Sequence, residues 1–156
     1  MARFKLLPAQ REGLYSTPSR VNPEAATQTF SEGALLINNA GNLQEAGVDP
    51  VDIIGVSAEA GHNAAAAAKS VRYHPALPHV VFEGSIDDSN AIGTGAIAAT
   101  DLHAAYGLTL NTGVWYVDKF KTGAQARVVI VGFKDPLTTV NGRVYFIFKK
   151  LATIYL

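Results

Sequence analysis

The chain has 156 residues, with 13 Lys+Arg against 13 Asp+Glu, 48% hydrophobic residues, 17% charged residues and no cysteine. That length fits one domain able to bury roughly 68–70% of the surface its unfolded chain exposes. Zero formal net charge argues against a dedicated nucleic-acid binder, whose affinity comes mainly from neutralising phosphates, and the lack of cysteine excludes disulfides, zinc–thiolate sites and thiol nucleophiles.

Met1-Ala-Arg-Phe-Lys-Leu-Leu-Pro8 has no apolar h-region, so a secretory signal is not expected. No apolar run approaches the roughly 20 residues needed to cross a bilayer. The expectation is a soluble protein made in a cytoplasm. The segment Met1–Phe30 is rich in Pro, Ser, Thr, Gln and Asn and has no sustained period. It reads as an extended arm, with too little apolar surface to order itself unless it lies on another surface.

Residues 31–156 read as the body, and their grammar is β. Gly33–Asn39 is a strand, Ala40-Gly41-Asn42 a turn, and Leu43–Ala46 a second strand. Val48-Asp49-Pro50 turns the chain again, because the residue before proline avoids helix. Ile53–Ala58 is a short apolar strand whose Gly55 suggests a bulge. The alanine run Ala64–Ala68 allows one or two helical turns, but a surface loop is favoured. Val71–His79 ends in two prolines and reads at best as an edge strand; Val80–Gly84 is another strand. Thr100–Gly107 has the marks of one short helix, with Thr100 as N-cap, Asp101 in the first turn and Gly107 as terminator. Gly113–Asp118 and Ala126–Phe133 are strands. Asn141-Gly142, between Leu137–Val140 and Arg143–Phe148, is the strongest hairpin signal in the chain. No internal repeat is legible. The fold class expected is mainly all-β: a small β-barrel or β-sandwich body with one short helix and an extended N-terminal arm.

Each candidate for chemistry has a bland counterpart that outweighs it. Gly93-Thr-Gly95-Ala-Ile-Ala98 matches the dinucleotide fingerprint, with Asp118 downstream, but no strand precedes it and no helix is expected to open from it. His62, His74, His79 and His103 lack metal-site spacing; His74 and His79 could only approach across a turn. Asp87-Asp88-Ser89-Asn90 lacks the calcium-loop pattern. No serine sits on a G-x-S-x-G elbow. Glu83 and Asp118 could form a carboxylate pair only through the fold. Trp115, Tyr116, Phe133, Tyr145, Phe146 and Phe148 could stack bases, but basic residues are dispersed, and core is the better reading for most of these rings. No catalytic, cofactor-binding or metal-ligating residue is expected, and the chain is not expected to be an enzyme.

The order Glu32-Gly-Ala-Leu-Leu-Ile37, Asp49-Pro-Val-Asp-Ile-Ile-Gly-Val56, Val81-Phe-Glu-Gly84, Trp115-Tyr-Val-Asp118, Gly132-Phe-Lys-Asp-Pro136 and Asn141-Gly-Arg-Val-Tyr-Phe146 resembles head-decoration, or cement, proteins of tailed bacteriophages. The resemblance spans Ser31 to Phe148. It implies a β-barrel or β-tulip body on the outside of a virion capsid, bound to the major capsid protein and to copies of itself, often as a trimer, with no direct nucleic-acid or membrane partner and no cofactor. On that reading the arm would contact the partner through Phe4, Leu6, Leu7, Leu14, Tyr15 and Phe30, because such side chains dominate interfaces. Arg11 and Arg20 would set register and rim contacts. The alternative is an oligonucleotide- or carbohydrate-binding β-barrel.

Overall fold

Alternating burial along short, β-branched and aromatic stretches makes strand the dominant secondary structure of this chain. The structure, a computed structural model, describes residues 7–8, 18–88 and 93–149. Its strands are β1 (Leu7–Pro8), β2 (Arg20–Pro23), β3 (Leu35–Asn39), β4 (Asn42–Glu45), β5 (Ile53–Ser57), β6 (Ser70–Pro75), β7 (Phe82–Asp87), β8 (Ala105–Asn111), β9 (Val114–Asp118), β10 (Val128–Phe133) and β11 (Arg143–Phe148). The β11 pattern is typical: Val144, Phe146 and Phe148 are buried, while Arg143, Tyr145 and Ile147 between them are half-buried.

Two sheets result. In the second, β7, β11, β10, β8 and β9 are hydrogen-bonded in that order, and β9 returns to β7 through the parallel pairs Ile86↔Val117 and Asp87↔Asp118. This closes a five-strand barrel, and β1 adds to the outer edge of β7. The first sheet runs β2, β6, β5, β3, β4. Its two edge strands meet at a parallel bridge, Glu24↔Leu43, where the Ala25 N–H donates to the Leu43 carbonyl at 2.8 Å. The mainly β barrel expected from the sequence is therefore what forms.

The two halves have the same topology and the same register. Let Arg20, Leu36, Leu43, Gly55 and Tyr73 of the first half correspond to Phe82, Tyr106, Val117, Val128 and Phe146 of the second. Then Arg20↔Tyr73 maps onto Phe82↔Phe146, Leu36↔Gly55 onto Tyr106↔Val128, and Gly55↔Pro75 onto Val128↔Phe148. Asn38↔Leu43 maps onto Leu108↔Val117, and the bridge Glu24↔Leu43 onto Ile86↔Val117. The chain is a tandem repeat of one five-strand unit. The central hairpin of each unit turns through the same chemistry. Asn39-Ala40-Gly41 has φ of 50° and 91° at its last two residues, and Asn111-Thr112-Gly113 has 48° and 78°, the two positive φ angles of a type I′ turn.

One hydrophobic core serves both units. It runs from Leu35, Val56 and Tyr73 to Phe82, Val117, Ile130 and Phe146. The Phe82 and Phe146 rings stack at 6.0 Å, and Phe148 meets them edge-on at 5.0 and 5.7 Å. Polar contacts reinforce the junction. Trp115 Nε1–H donates to Glu45 Oε1 at 3.1 Å, and Asp49 receives Lys121 Nζ at 2.5 Å and Gln125 Nε2 at 2.9 Å. The Lys121 hydrogen bond holds the Asp49 carboxyl below its usual range. Arg127, buried, donates to the Pro50 carbonyl.

Several sequence expectations are corrected. Thr100–Gly107 is not a helix: Ala99–Asp101 forms a single 3-10 turn and Ala105 begins β8, because β8 has ladders waiting on both sides. Leu137–Val140 is not a strand. The partner of β11 is β10, and Asn141-Gly142 lies in the connection between them. Gly142 is required there for close approach, since a Cβ would stand 2.5 Å from Ile97 Cδ1. β6 is an interior strand between β2 and β5 rather than an edge, its prolines being harmless at its C-terminal end. Residues 20–30, read as part of the arm, supply β2 and the core residue Phe30. Ala64–Ala68 is a loop, as favoured.

Because the core is continuous, the two units should unfold together. Trp115 fluorescence and far-UV circular dichroism are expected to report coincident transitions. Phe82→Ala should lower unfolding free energy by about 4 kcal/mol in urea titration.

Candidate functional site

Where strands end and loops begin, this fold buries carboxylates. Glu24 follows β2 and Asp87 ends β7, one position apart in the repeat, and both are 1% exposed. A buried carboxylate must be paired or well hydrogen-bonded. Glu24 accepts the His62 backbone N–H at 2.8 Å and contacts His62 Nδ1 at 2.6 Å. The His62 side chain is 37% exposed. The Glu24 carbonyl also accepts the Ala67 N–H. Glu24 thus pins the loop containing the alanine run to the first unit.

Asp87 explains the glycine-rich motif. Its Oδ1 accepts the backbone N–H groups of Asp88 and Gly95, both at 2.8 Å, and its Oδ2 accepts that of Gly93 at 2.7 Å. A dinucleotide loop offers such amides to a pyrophosphate. Here an internal anion already occupies them. Gly95 is glycine because a Cβ would lie 2.2 Å from the Asp88 nitrogen.

Two further buried acids are used in the same way. Asp101 accepts the Ala98 N–H and the Tyr106 hydroxyl, both at 2.7 Å, and pairs with Lys119 Nζ at 3.1 Å. Asp118 accepts the Thr109 hydroxyl at 2.7 Å and the Phe120 N–H at 2.9 Å. Burial pushes the Tyr116 phenol up to about 12, helped by the charges of Asp118 and Asp87. Burial and the Asp101 hydrogen bond raise Tyr106 as well. Both phenols stay protonated at neutral pH, which makes them donors and not bases. Among the described residues no group of three or more His, Asp or Glu side chains is arranged to hold a metal ion.

The other candidates are dispersed. Glu83 contacts Lys134 at 2.6 Å and Arg143 at 3.7 Å, whereas Asp118 is fully buried with its own donors, so the two form no pair. His74 Nδ1 contacts the Pro18 carbonyl at 3.1 Å, and His79 and His103 are exposed. Trp115, Tyr116, Phe146 and Phe148 are buried, and Phe133 packs on the core; these rings are core, not a stacking platform. Of the arm residues, Phe4, Leu6, Arg11, Leu14 and Tyr15 lie outside the described residues. Leu7 is in β1, Arg20 is exposed on β2, and Phe30 is 4% exposed and inside the core. Phe30 therefore does not present its ring to a partner.

The surface also carries large apolar side chains. A groove of about 400 Å³ at the junction is lined by Gly47, Val48, Leu110, Asn111, Trp115 and Lys121 among others. Val48 is 90% exposed, Phe120 72%, and Val51 and Leu110 are also exposed. All four lie on or beside the loops that the Asp49–Lys121 contact joins. Comparison with family models, with curated proteins and with solved structures returns no match to this chain.

Two outcomes are expected. Asp87→Ala strands the Gly93 and Gly95 amides and should cost about 3 kcal/mol in chemical denaturation, with no gain of nucleotide binding in calorimetry. Arg143, donating to Asp135 at 2.9 and 2.7 Å, lowers the Asp135 carboxyl from the usual 3.8 to about 2. A depressed folded-state pKa contributes stability above the unfolded value, lost as pH falls through the folded one. Asp135→Asn should therefore flatten the stability loss between about pH 4 and pH 2, read from thermal midpoints.

Proposed function

We propose that this chain is a structural binding module, a capsid decoration protein that docks on the outer surface of an assembled tailed-phage head and adds buried interface between major capsid protein subunits. The observation that carries this reading is how the polar and apolar groups are distributed. The buried carboxylates hold the protein's own loops, while large apolar side chains such as Val48 and Phe120 stand exposed around the junction. An exposed apolar patch rimmed by polar groups is what a docking surface requires.

The arm would add contact area through Phe4, Leu6, Leu7, Arg11, Leu14, Tyr15 and Arg20. Because Arg20–Pro23 forms β2 and Phe30 belongs to the core, the informative truncation stops before them. Deletion of residues 2–17 should leave a folded body, by circular dichroism, that co-sediments with assembled coat shells at least about ten-fold more weakly. Undiminished co-sedimentation would remove the arm from the interface, and no binding by the full chain would reject the capsid reading. A steeply salt-dependent affinity for single-stranded oligonucleotides would favour the alternative instead.

A further inference from the structure

The repeat identifies a second strand-acceptor edge. In the second unit, β7 is longer than its parallel contact with β9, which covers only Ile86 and Asp87. The uncovered half, Phe82 and Glu83, takes β1 as an added strand through Leu7↔Glu83 and Pro8↔Phe82. In the first unit the equivalents of Phe82 and Glu83 are Arg20 and Val21 on β2. There the parallel contact with β4 begins only at Glu24.

Backbone alternation shows which groups face out. The Glu24 N–H donates to the Lys69 carbonyl across the extension of the β2–β6 ladder, so Asn22 and Arg20 face β6, and the N–H and C=O of Val21 point away from it. No strand among the described residues lies on that side of Val21. The Val21 side chain is 63% exposed. Pro18 and Pro23 flank this edge, and Pro23 has no N–H to offer, so the edge accepts a strand of about two residues and no more. That is the length of β1.

We propose that the outer edge of β2 at Val21 accepts the Leu7–Pro8 strand of a second copy of this chain, joining neighbours by exchanged arms. The occupant is a second copy because the segment that fits the equivalent edge is this chain's own. Each molecule therefore carries one donor strand and two equivalent acceptor edges. In dilute solution the arm's own β7 edge wins through its high effective concentration. Copies held side by side compete on equal terms, and exchange then adds backbone hydrogen bonds between them. The inference stands whatever surface the chain docks on.

The absence of cysteine makes the test clean. An isotopically labelled Leu7→Cys chain is mixed with an unlabelled Val21→Cys chain over a rising concentration series and oxidised. Opposed strand residues lie about 4.5–5.5 Å apart between Cα atoms, within disulfide range. Mass spectrometry should find labelled–unlabelled 7–21 links that rise with concentration and exceed 7–7 and 21–21 links. A Leu7→Cys/Glu83→Cys chain, closed on itself, should associate at least ten-fold less in analytical ultracentrifugation than the unmodified chain. Val21→Pro, which removes the outward N–H without touching the β6 ladder, should lose association to the same degree. No excess of 7–21 links between chains, or a Val21→Pro chain that associates like the original, overturns the proposal. Binding of a different protein's strand at this edge, with no exchange between copies, overturns it too.

Discussion

The structure depends on how each five-strand sheet closes. A sheet of antiparallel hairpins has two open edges, and unpaired edges are both unstable and sticky. Here the first and third strands of each unit meet in a short parallel contact: Glu24↔Leu43 in one, Ile86↔Val117 and Asp87↔Asp118 in the other. Closure is brief because strands that tilt around a barrel stay in register only over a few residues. At the end of each contact the backbone must leave the ladder, and a buried acid stands where it does. Glu24 and Asp87 collect the N–H groups that the departing loops leave without strand partners.

Those carboxylates bear directly on function. In an enzyme, a buried acid beside tyrosines and a lysine is a natural place to look for proton transfer. Asp101, with Tyr106 and Lys119, has that composition. The geometry gives each oxygen a donor from its own loop or strand, and burial keeps the phenols protonated. These clusters are fasteners. The surface they hold in place carries the junction groove and the partly covered edges of the two first strands.

Duplication gives those features their meaning. A single unit would offer one closed barrel with one short uncovered edge. Two units sharing a core offer two such edges, one covered by β1 and the other presenting Val21. The groove at Val48 and Trp115 lies where the Asp49–Lys121 contact brings a loop of one unit against the other. Protein–protein recognition, as proposed, would draw on both consequences of the repeat.

Most of the strands were legible because their information is local: alternation in Arg143–Phe148, apolar runs in Ile53–Ser57 and Val128–Phe133, and the Ala40-Gly41 turn. Composition alone was enough to set aside cysteine chemistry. The amides of the glycine-rich stretch are taken by Asp87, which could not be read in the sequence, since its acceptor role exists only once the loop folds back. Thr100–Gly107 looked helical because its cap signals are local, whereas the ladders that put Ala105–Gly107 into β8 come from residues far along the chain. Val140-Asn141-Gly142 looked like a hairpin because turn propensity cannot see Ile97 pressing on the glycine. The repeat left only Asn39-Ala-Gly41 and Asn111-Thr-Gly113 as a trace in sequence. Hydrogen-bond register is a backbone property that many side chains satisfy, and tertiary structure alone fixed which strands pair, where each ring closes and which edge remains to be covered.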